Sequence, residues 1–273
     1  MDKRRKFCGD EKMILTNENY FSKEADRHYM SVSQFKSFAK CEASALDKLN
    51  NGKEEKSKAL IVGSYTHAAF ESDDVFNEFI KANDSIIFNR KGDKYADFLK
   101  ADEMINTVKN DEFCMLAMNG EKEVIFKGTL HGVEWKIKVD SINYQQGYFS
   151  DLKTTQDLQK RFYTKKYNGW GSFIHEYDYI LQMYIYREII KQNTGHYFNP
   201  YIVAVTKQDP PDKAVIGFNP ERFEFEKEYV EAKIGKVLEV KNGLREPERC
   251  ENCDYCRSTK KLKGFIELGD LLK

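Results

Sequence analysis

No apolar run in this chain approaches the roughly 20 residues that a bilayer-spanning helix requires, which argues against a membrane anchor. The N-terminal stretch MDKRRKFCGDEK has basic residues but no apolar segment behind them, so it lacks the form of a secretory signal; the expectation is a cytosolic protein. Net charge is absent too. Lys+Arg and Asp+Glu both number 44, so bulk charge gives no argument for a nucleic-acid partner and only a local argument survives. There is no internal repeat and no linker clean enough to divide the 273 residues. The reading is a partly ordered leader over 1–28, then a single domain over 29–273 that includes the Cys-rich segment 250–256. A chain of this length buries most of its unfolded surface and folds without disulfides.

The pattern of what is present begins with helices. Ser31 or Ser33 can cap a helix carrying Phe35, Phe38, Ala45 and Leu49 at helical spacing, with Cys41 on it and Glu42 interrupting its apolar stripe. A second helix starts near Lys58 (ALIVGSYTHAAFES). Gly63 in its interior suggests a close approach by another backbone, and His67 and Glu71 share one face. Asp73 to Lys81 and Lys94 to Met118 continue helical, the latter broken near Asn110. The period then changes to two. Glu123–Thr129, Val133–Ile142 and Tyr148–Leu152 read as strands with glycines near the turns. A short helix over Leu158–Lys166, a longer one over Phe173–Gln192, strands at Pro200–Val205 and Ala214–Phe218, and an amphipathic helix to about Asn242 complete the order. The fold class is α/β (α+β), with a helical N-terminal part.

The segment Lys136–Lys153 carries the chemistry. Asp140 lies near the end of one strand, and the next delivers Asp151, Leu152 and Lys153. Alternation points Asp151 and Lys153 to one face and Leu152 into the core. Two carboxylates and a lysine converging at strand ends can hold a divalent metal and position a water. Turn chemistry explains a lone Asp equally well, and a D-x-K triplet is common by chance, so its setting gives it value.

This combination resembles the PD-(D/E)xK nuclease superfamily, and more closely its RecB/RecE-like branch. His67 in GSYTHAAFE is similar to that branch's upstream metal-binding histidine; Asp140 matches the first acidic motif; Asp151 and Lys153 match D-x-K; Gln182 and Tyr186 in YILQMYIY match the downstream Q-x-x-x-Y. The likeness spans about residues 30–206 and is nearest to phage and prophage exonucleases of the RecE type. It implies a restriction-endonuclease-like core, a central mixed β-sheet flanked by helices. It also implies metal-dependent hydrolysis of DNA phosphodiesters in recombination or repair, with linear duplex ends as substrate, a single-strand annealing protein as partner, and a homo-oligomer as in ring-forming relatives.

In that reading Asp140, Asp151 and the Leu152 carbonyl supply oxygen ligands to Mg²⁺ or Mn²⁺ and His67 a nitrogen. Lys153 orients the attacking water and screens charge, and Gln182 organises the site. Glu71 and Tyr186 support the ligands from behind. Lys160, Arg161, Lys165 and Lys166, in a locally basic run, would meet phosphates; alone, that run is equally a solvated helix face. Tyr163, Tyr167 and Trp170 are candidates for stacking on bases or for core packing.

Cys250, Cys253 and Cys256 form CxxCxxC, a spacing that in a reduced compartment points to metal rather than disulfide. Cys41 is the natural fourth ligand and Cys8 the weaker candidate, while Cys114 reads as packing. The same resemblance implies a [4Fe-4S] cluster, with Zn²⁺ on the same four ligands as the rival and three unliganded thiols as the bland alternative. Two other functions remain open: a catalytically silent DNA-binding recombination adaptor of the same fold, and a zinc-clipped RNA- or protein-binding domain.

Overall fold

The computed structural model describes residues 13–52, 57–262 and 264–269. Eight helices come first: α1 (Lys23–His28), α2 (Val32–Lys40), α3 (Glu42–Asn51), α4 (Lys58–Glu71), α5 (Asp73–Ala82), α6 (Asp84–Ile87), α7 (Ala96–Lys109) and α8 (Glu112–Ala117). Then come β1 (Glu121–Leu130), β2 (Val133–Asn143), β3 (Tyr148–Thr155), a small hairpin of β4 (Phe162–Thr164) and β5 (Gly169–Gly171), α9 (Phe173–Glu176) and α10 (Tyr179–Thr194). The last elements are β6 (Asn199–Thr206), β7 (Lys213–Gly217), α11 (Arg222–Lys241) and α12 (Asp254–Ser258).

The main sheet has the order β1-β2-β3-β6-β7. β3 and β6 run parallel and every other pairing is antiparallel, so the sheet is mixed. Each face is covered by helices. On one face Trp135, Ile137, Phe149, Ile202 and Ala204 pack with Phe35 of α2, Leu181 and Ile185 of α10 and Val230 and Ile234 of α11. On the other, Leu152, Val203 and Val205 meet Ile61 and Tyr65 of α4, Phe98 and Met104 of α7 and Cys114 of α8. Leu152 therefore points to the second layer while Asp151 and Lys153 point to the first, as strand alternation requires. Trp135 anchors the larger core: its ring is fully buried, lies 5.8 Å from Phe35 and donates from Nε1 to the Leu130 carbonyl at 3.0 Å. Trp135→Ala is expected to cost about 3–5 kcal/mol, read as a lowered urea midpoint at unchanged slope.

Several expected elements differ. The helix expected through Cys41 is two helices, because Cys41 takes an extended conformation (φ −161°, ψ 107°) and the chain turns there. Glu42, which interrupted the apolar stripe, accepts from the Glu248 backbone N–H at 2.8 Å and pairs with Arg245, tying α3 to the far end of the chain. The helix expected over 158–166 does not form: β-prone Phe162, Tyr163 and Thr164 pair with 169–171 instead. The helix expected over 173–192 is split because Asp178 is left-handed (φ 53°). Gly63 is not a backbone crossing; a Cβ there would meet open space, because it faces a cleft. Part of the expected leader is ordered, since α1 lies within it and Tyr20 and Ala25 are buried; Met30, just beyond it, is bridged to Trp135. Cys8 lies outside the described residues.

Candidate active site

The β2–β3 ladder is short. It pairs Asn143 with Tyr148, Ile142 with Phe149 and Ser141 with Ser150, and stops. One residue further Asp140 would face Asp151, but here the strands part. β2 also changes phase at this point, since Trp135, Ile137, Val139 and then Ile142 all enter the same core. Glu123, opposite the bend on β1, is left-handed (φ 55°), which marks the distortion. Where the next ladder bond would fall, the Leu152 N–H donates to Asp140 Oδ2 at 2.8 Å instead. In a strand the N–H and C=O of one residue point to the same edge, so the Leu152 carbonyl is directed into the same gap.

Four elements converge on this gap. From α4, His67 Nδ1 lies 3.2 Å from Asp140 Oδ2. From α10, Gln182 Nε2 donates to Asp151 Oδ1 at 2.7 Å. Lys153 forms an ion pair with Asp151 Oδ2 and holds its ammonium 5.1 Å from the centre of the Tyr179 ring. Asp151 is 3% exposed, and apart from that lysine its Oδ2 has no hydrogen-bond partner. A buried, under-bonded carboxylate oxygen is costly unless a cation meets it. Hard oxygens with one imidazole are also the donor set of Mg²⁺ or Mn²⁺. The residues present thus fit a divalent ion.

The electrostatics agree. Burial raises the Asp151 carboxyl, and the neighbouring Asp140 charge raises it further. Burial would raise Asp140 too, but the charge and hydrogen bond of His67, the Lys153 charge and the Leu152 N–H together outweigh it and hold Asp140 down at about 2. Burial would lower His67 and Lys153; Asp140 lifts the first, and Asp151 then Asp140 lift the second. Two like charges on adjacent strands are thereby balanced by one lysine and one histidine. The cleft above them has a volume of about 1100 Å³ and is lined by His67, Glu71, Asp140, Gln182 and Tyr186 among others.

The family described as a PDDEXK-like domain of unknown function (DUF3799) matches residues 31–259. The chain belongs to this PDDEXK-like family. A crystal structure of a Eubacterium rectale protein provisionally named an exonuclease superposes with a TM-score of 0.88 at 39% identity, covering 95% of this chain and 98% of that one. A second solved structure, SSO0001, has a TM-score of 0.36 at 16% identity over 84% of this chain and 83% of that one, too distant to carry an argument. No curated protein matches the chain.

Around the PDDEXK-like centre, other expected residues fall differently. Glu71 lines the cleft, but His67 is held by Asp140 rather than by Glu71. Tyr186 is largely buried and packs 6.3 Å from Phe149. Lys160, Arg161 and Lys165 are exposed, on an extended segment and a hairpin loop rather than a helix. Lys166 is not available to phosphate: its ammonium is tied to Asp178 at 2.8 Å and to buried Glu226 at 2.5 Å.

Three site neighbours were not singled out by the sequence reading. Lys36 of α2 donates to the Tyr177 carbonyl at 2.8 Å and sits 5.1 Å from the Tyr179 ring, on which Lys153 also rests. Burial, then the Lys153 charge, pushes Lys36 down to about 7. Among the described residues no carboxylate pairs with it, unlike Lys136 and Lys138 in the same cleft. Tyr179 thus has two ammonium groups near its ring. Glu123, half-buried and paired with Lys138 at 2.5 Å, brings a further carboxylate to the cleft. The helical spacing of Lys36 from Gln182 is undefined in sequence, and only the packing of α2 against α10 brings them into one cleft.

The four cysteines meet far along the chain from one another. The sulfurs of Cys41, Cys250, Cys253 and Cys256 all lie within 4.8 Å of one another, with Cys41–Cys256 at 3.6 Å, Cys41–Cys253 at 3.8 Å and Cys250–Cys256 at 4.0 Å. The Cys253 N–H donates to Cys250 Sγ and the Cys256 N–H to Cys253 Sγ. Backbone N–H groups of Asn252 and Cys253 hold the Cys250 thiol down at about 6, while burial pushes Cys256 up to about 11. Cys114 is buried in the second core, away from this group.

Proposed function

We propose that this chain is a metal-dependent DNA exonuclease, hydrolysing phosphodiester bonds at linear duplex ends in phage-type recombination or repair. The convergence of His67, Asp140, Asp151, Lys153 and Gln182 on one cleft supports this reading. In it Asp140, Asp151, the Leu152 carbonyl and His67 hold Mg²⁺ or Mn²⁺. Bound there, the ion supplies positive charge at the phosphate and makes water a stronger acid.

The chain's own groups do the rest. Gln182 fixes the Asp151 carboxylate through its other oxygen, leaving Oδ2 directed into the gap. Lys153 is a proton-bearing ammonium beside Asp151, placed to orient a water and screen charge developing on the phosphate. Lys36, with no carboxylate in ion-pair distance among the described residues, is a second hydrogen-bond donor for a phosphate in the cleft, whose charge would favour its protonated form, and Lys160, Arg161 and Lys165 offer charge along the approach. An annealing protein and a second copy of the chain are proposed partners on the resemblance alone.

The cysteines are proposed to hold one zinc ion. Tetrahedral zinc with thiolates at 2.3 Å places the sulfurs about 3.8 Å apart, which the observed 3.6, 3.8 and 4.0 Å bracket. A four-iron cluster bonds each thiolate to a different iron and needs them further apart. The site joins the α2–α3 junction to the C-terminal segment, and its proposed role is to clip the fold.

Digestion of end-labelled linear and covalently closed circular duplexes with Mg²⁺ tests the activity. Linear DNA should shorten from its ends while the circle survives. A nicked circle overturns the exonuclease reading, and two intact substrates with both Mg²⁺ and Mn²⁺ overturn the nuclease reading altogether.

A further inference from the structure

The β4–β5 hairpin stands apart from the main sheet. Alternation along β4 turns Phe162 and Thr164 inward and Tyr163 outward. An outward position on a small hairpin is ordinarily polar. Here the outward pair, directly opposite in register, is Tyr163 and Trp170, exposed 53% and 64%. Their ring centroids are 5.9 Å apart in an edge-to-face arrangement. The Arg161 guanidinium lies 5.8 Å from the Trp170 ring. Tyr177, at the foot of the hairpin, is 48% exposed.

The mounting beneath is rigid. Lys166 and Tyr167, in the hairpin loop, both bind the fully buried Glu226 carboxylate of α11, and Lys166 also pairs with Asp178 at 2.8 Å. A buried ion pair adds little net stability over apolar packing, but it fixes one geometry. A two-stranded hairpin alone is marginal in water, so this network is what holds the two rings outward. The hairpin also connects directly to the candidate centre. Phe162 contacts Tyr177 at 6.2 Å, Tyr177 contacts Tyr179 at 5.9 Å, and Tyr179 carries Lys153 and Lys36 on its ring.

We propose that the Tyr163–Trp170 face is a stacking platform for the unpaired bases of a DNA strand whose phosphates lie toward the active-site cleft. This rests on the DNA-nuclease reading above. Every base has an aromatic face, so such a platform accepts any sequence, as an exonuclease requires. Charge complementarity selects this occupant over an apolar protein surface: Lys160, Arg161 and Lys165 are exposed on the same segment, and Arg161 offers both a phosphate contact and a stacking plane.

The chain has two tryptophans, and Trp135 is fully buried, so solvent-sensitive emission belongs to Trp170. The full chain is titrated in EDTA with a dT oligonucleotide of roughly 15 residues. The expected result is quenching of Trp170 emission on binding, absent in Trp170→Phe, whose affinity by labelled-oligonucleotide anisotropy stays near wild type. Trp170→Ala and Tyr163→Ala should each weaken binding about ten-fold. An abasic oligonucleotide of equal length should bind wild type and Trp170→Ala equally.

Equal affinity of wild type and Trp170→Ala for the dT strand overturns the platform. So does a change of oligomeric state in Trp170→Ala without a change in DNA affinity, which assigns the face to protein contact. The titration needs no turnover. Trp170-dependent binding by a chain that cleaves neither linear nor circular DNA overturns the nuclease reading and leaves the platform standing.

Discussion

Replacing Asp151 with alanine is expected to lower metal-dependent DNA hydrolysis by at least about a thousand-fold. The carboxylate is shared by Gln182, which holds one oxygen, and Lys153, which pairs with the other. Its loss removes a proposed ion ligand and leaves Lys153 and Gln182 without that partner. The second effect costs about 1–3 kcal/mol per group, so the alanine variant must be shown folded by circular dichroism before its rate is read. Asp151→Asn is the milder companion: its amide oxygen still accepts from Gln182 while the charge is gone. Mn²⁺ should raise the melting temperature of the wild type by several degrees, as expected at a large excess over Kd, and leave that of Asp151→Asn unmoved. Lys153→Ala should keep the Mn²⁺-dependent shift yet lose about 100- to 1000-fold in rate. Full activity in a folded Asp151→Asn would sink the assignment of this centre.

A chelator strong enough to strip zinc should lower the melting temperature by more than about 10 °C, and Cys256→Ser should do the same without chelator. Cys256 is fully buried and touches Cys41 and Cys250 through sulfur. Without an ion, four sulfurs crowd within 4.8 Å of one another, and one of them, Cys250, has its thiol held down at about 6 by backbone N–H groups. The α2–α3 junction then depends on Glu42 with Arg245 and Glu248, and on the Ala43 N–H donating to the Glu248 carbonyl at 3.0 Å. Elemental analysis should find about one zinc per chain in a colourless protein. A brown solution absorbing near ~400 nm would reverse the choice in favour of iron–sulfur ligation. Cys114→Ser, in the other core, should leave the metal content untouched.

The sheet and the acidic centre were legible for a local reason. Strand alternation assigns Asp151, Leu152 and Lys153 to their faces without any knowledge of what packs on them, and the structure has the mixed sheet flanked by helices that the motif order implied. Helix breaks were less legible. Cys41 and Asp178 interrupt good helical stripes because contacts distant in sequence hold them: Cys250, Cys253 and Cys256 for the first and Lys166 for the second. The hairpin at 162–171 did carry a signal. Asn168-Gly169 is a turn dipeptide and Phe-Tyr-Thr is a β-prone run, yet the five charged residues around them favoured a helix reading. Lys36 had no signal at all. Its place comes from the packing of α2 on α10 and from its bond to the Tyr177 carbonyl, 141 positions away, and contacts at that distance have no counterpart in local sequence.

The cysteine site also has a consequence in time. Cys41 and Cys256 are 215 positions apart. At a synthesis rate of about 5–20 residues per second, more than about ten seconds separate their emergence from the ribosome. During that interval α2 and α3, which supply one wall of the cleft, are held by core contacts such as Phe35 on Trp135 and by the Lys36 bond to the Tyr177 carbonyl, while Cys41 still lacks its partners. The sheet and its carboxylates can assemble while the chain grows, and the junction between the two helices gains its other thiols only near the end of synthesis. A nascent chain therefore carries the proposed hydrolytic centre before it carries the four-sulfur group, and a translation product ending short of Cys256 never completes that group.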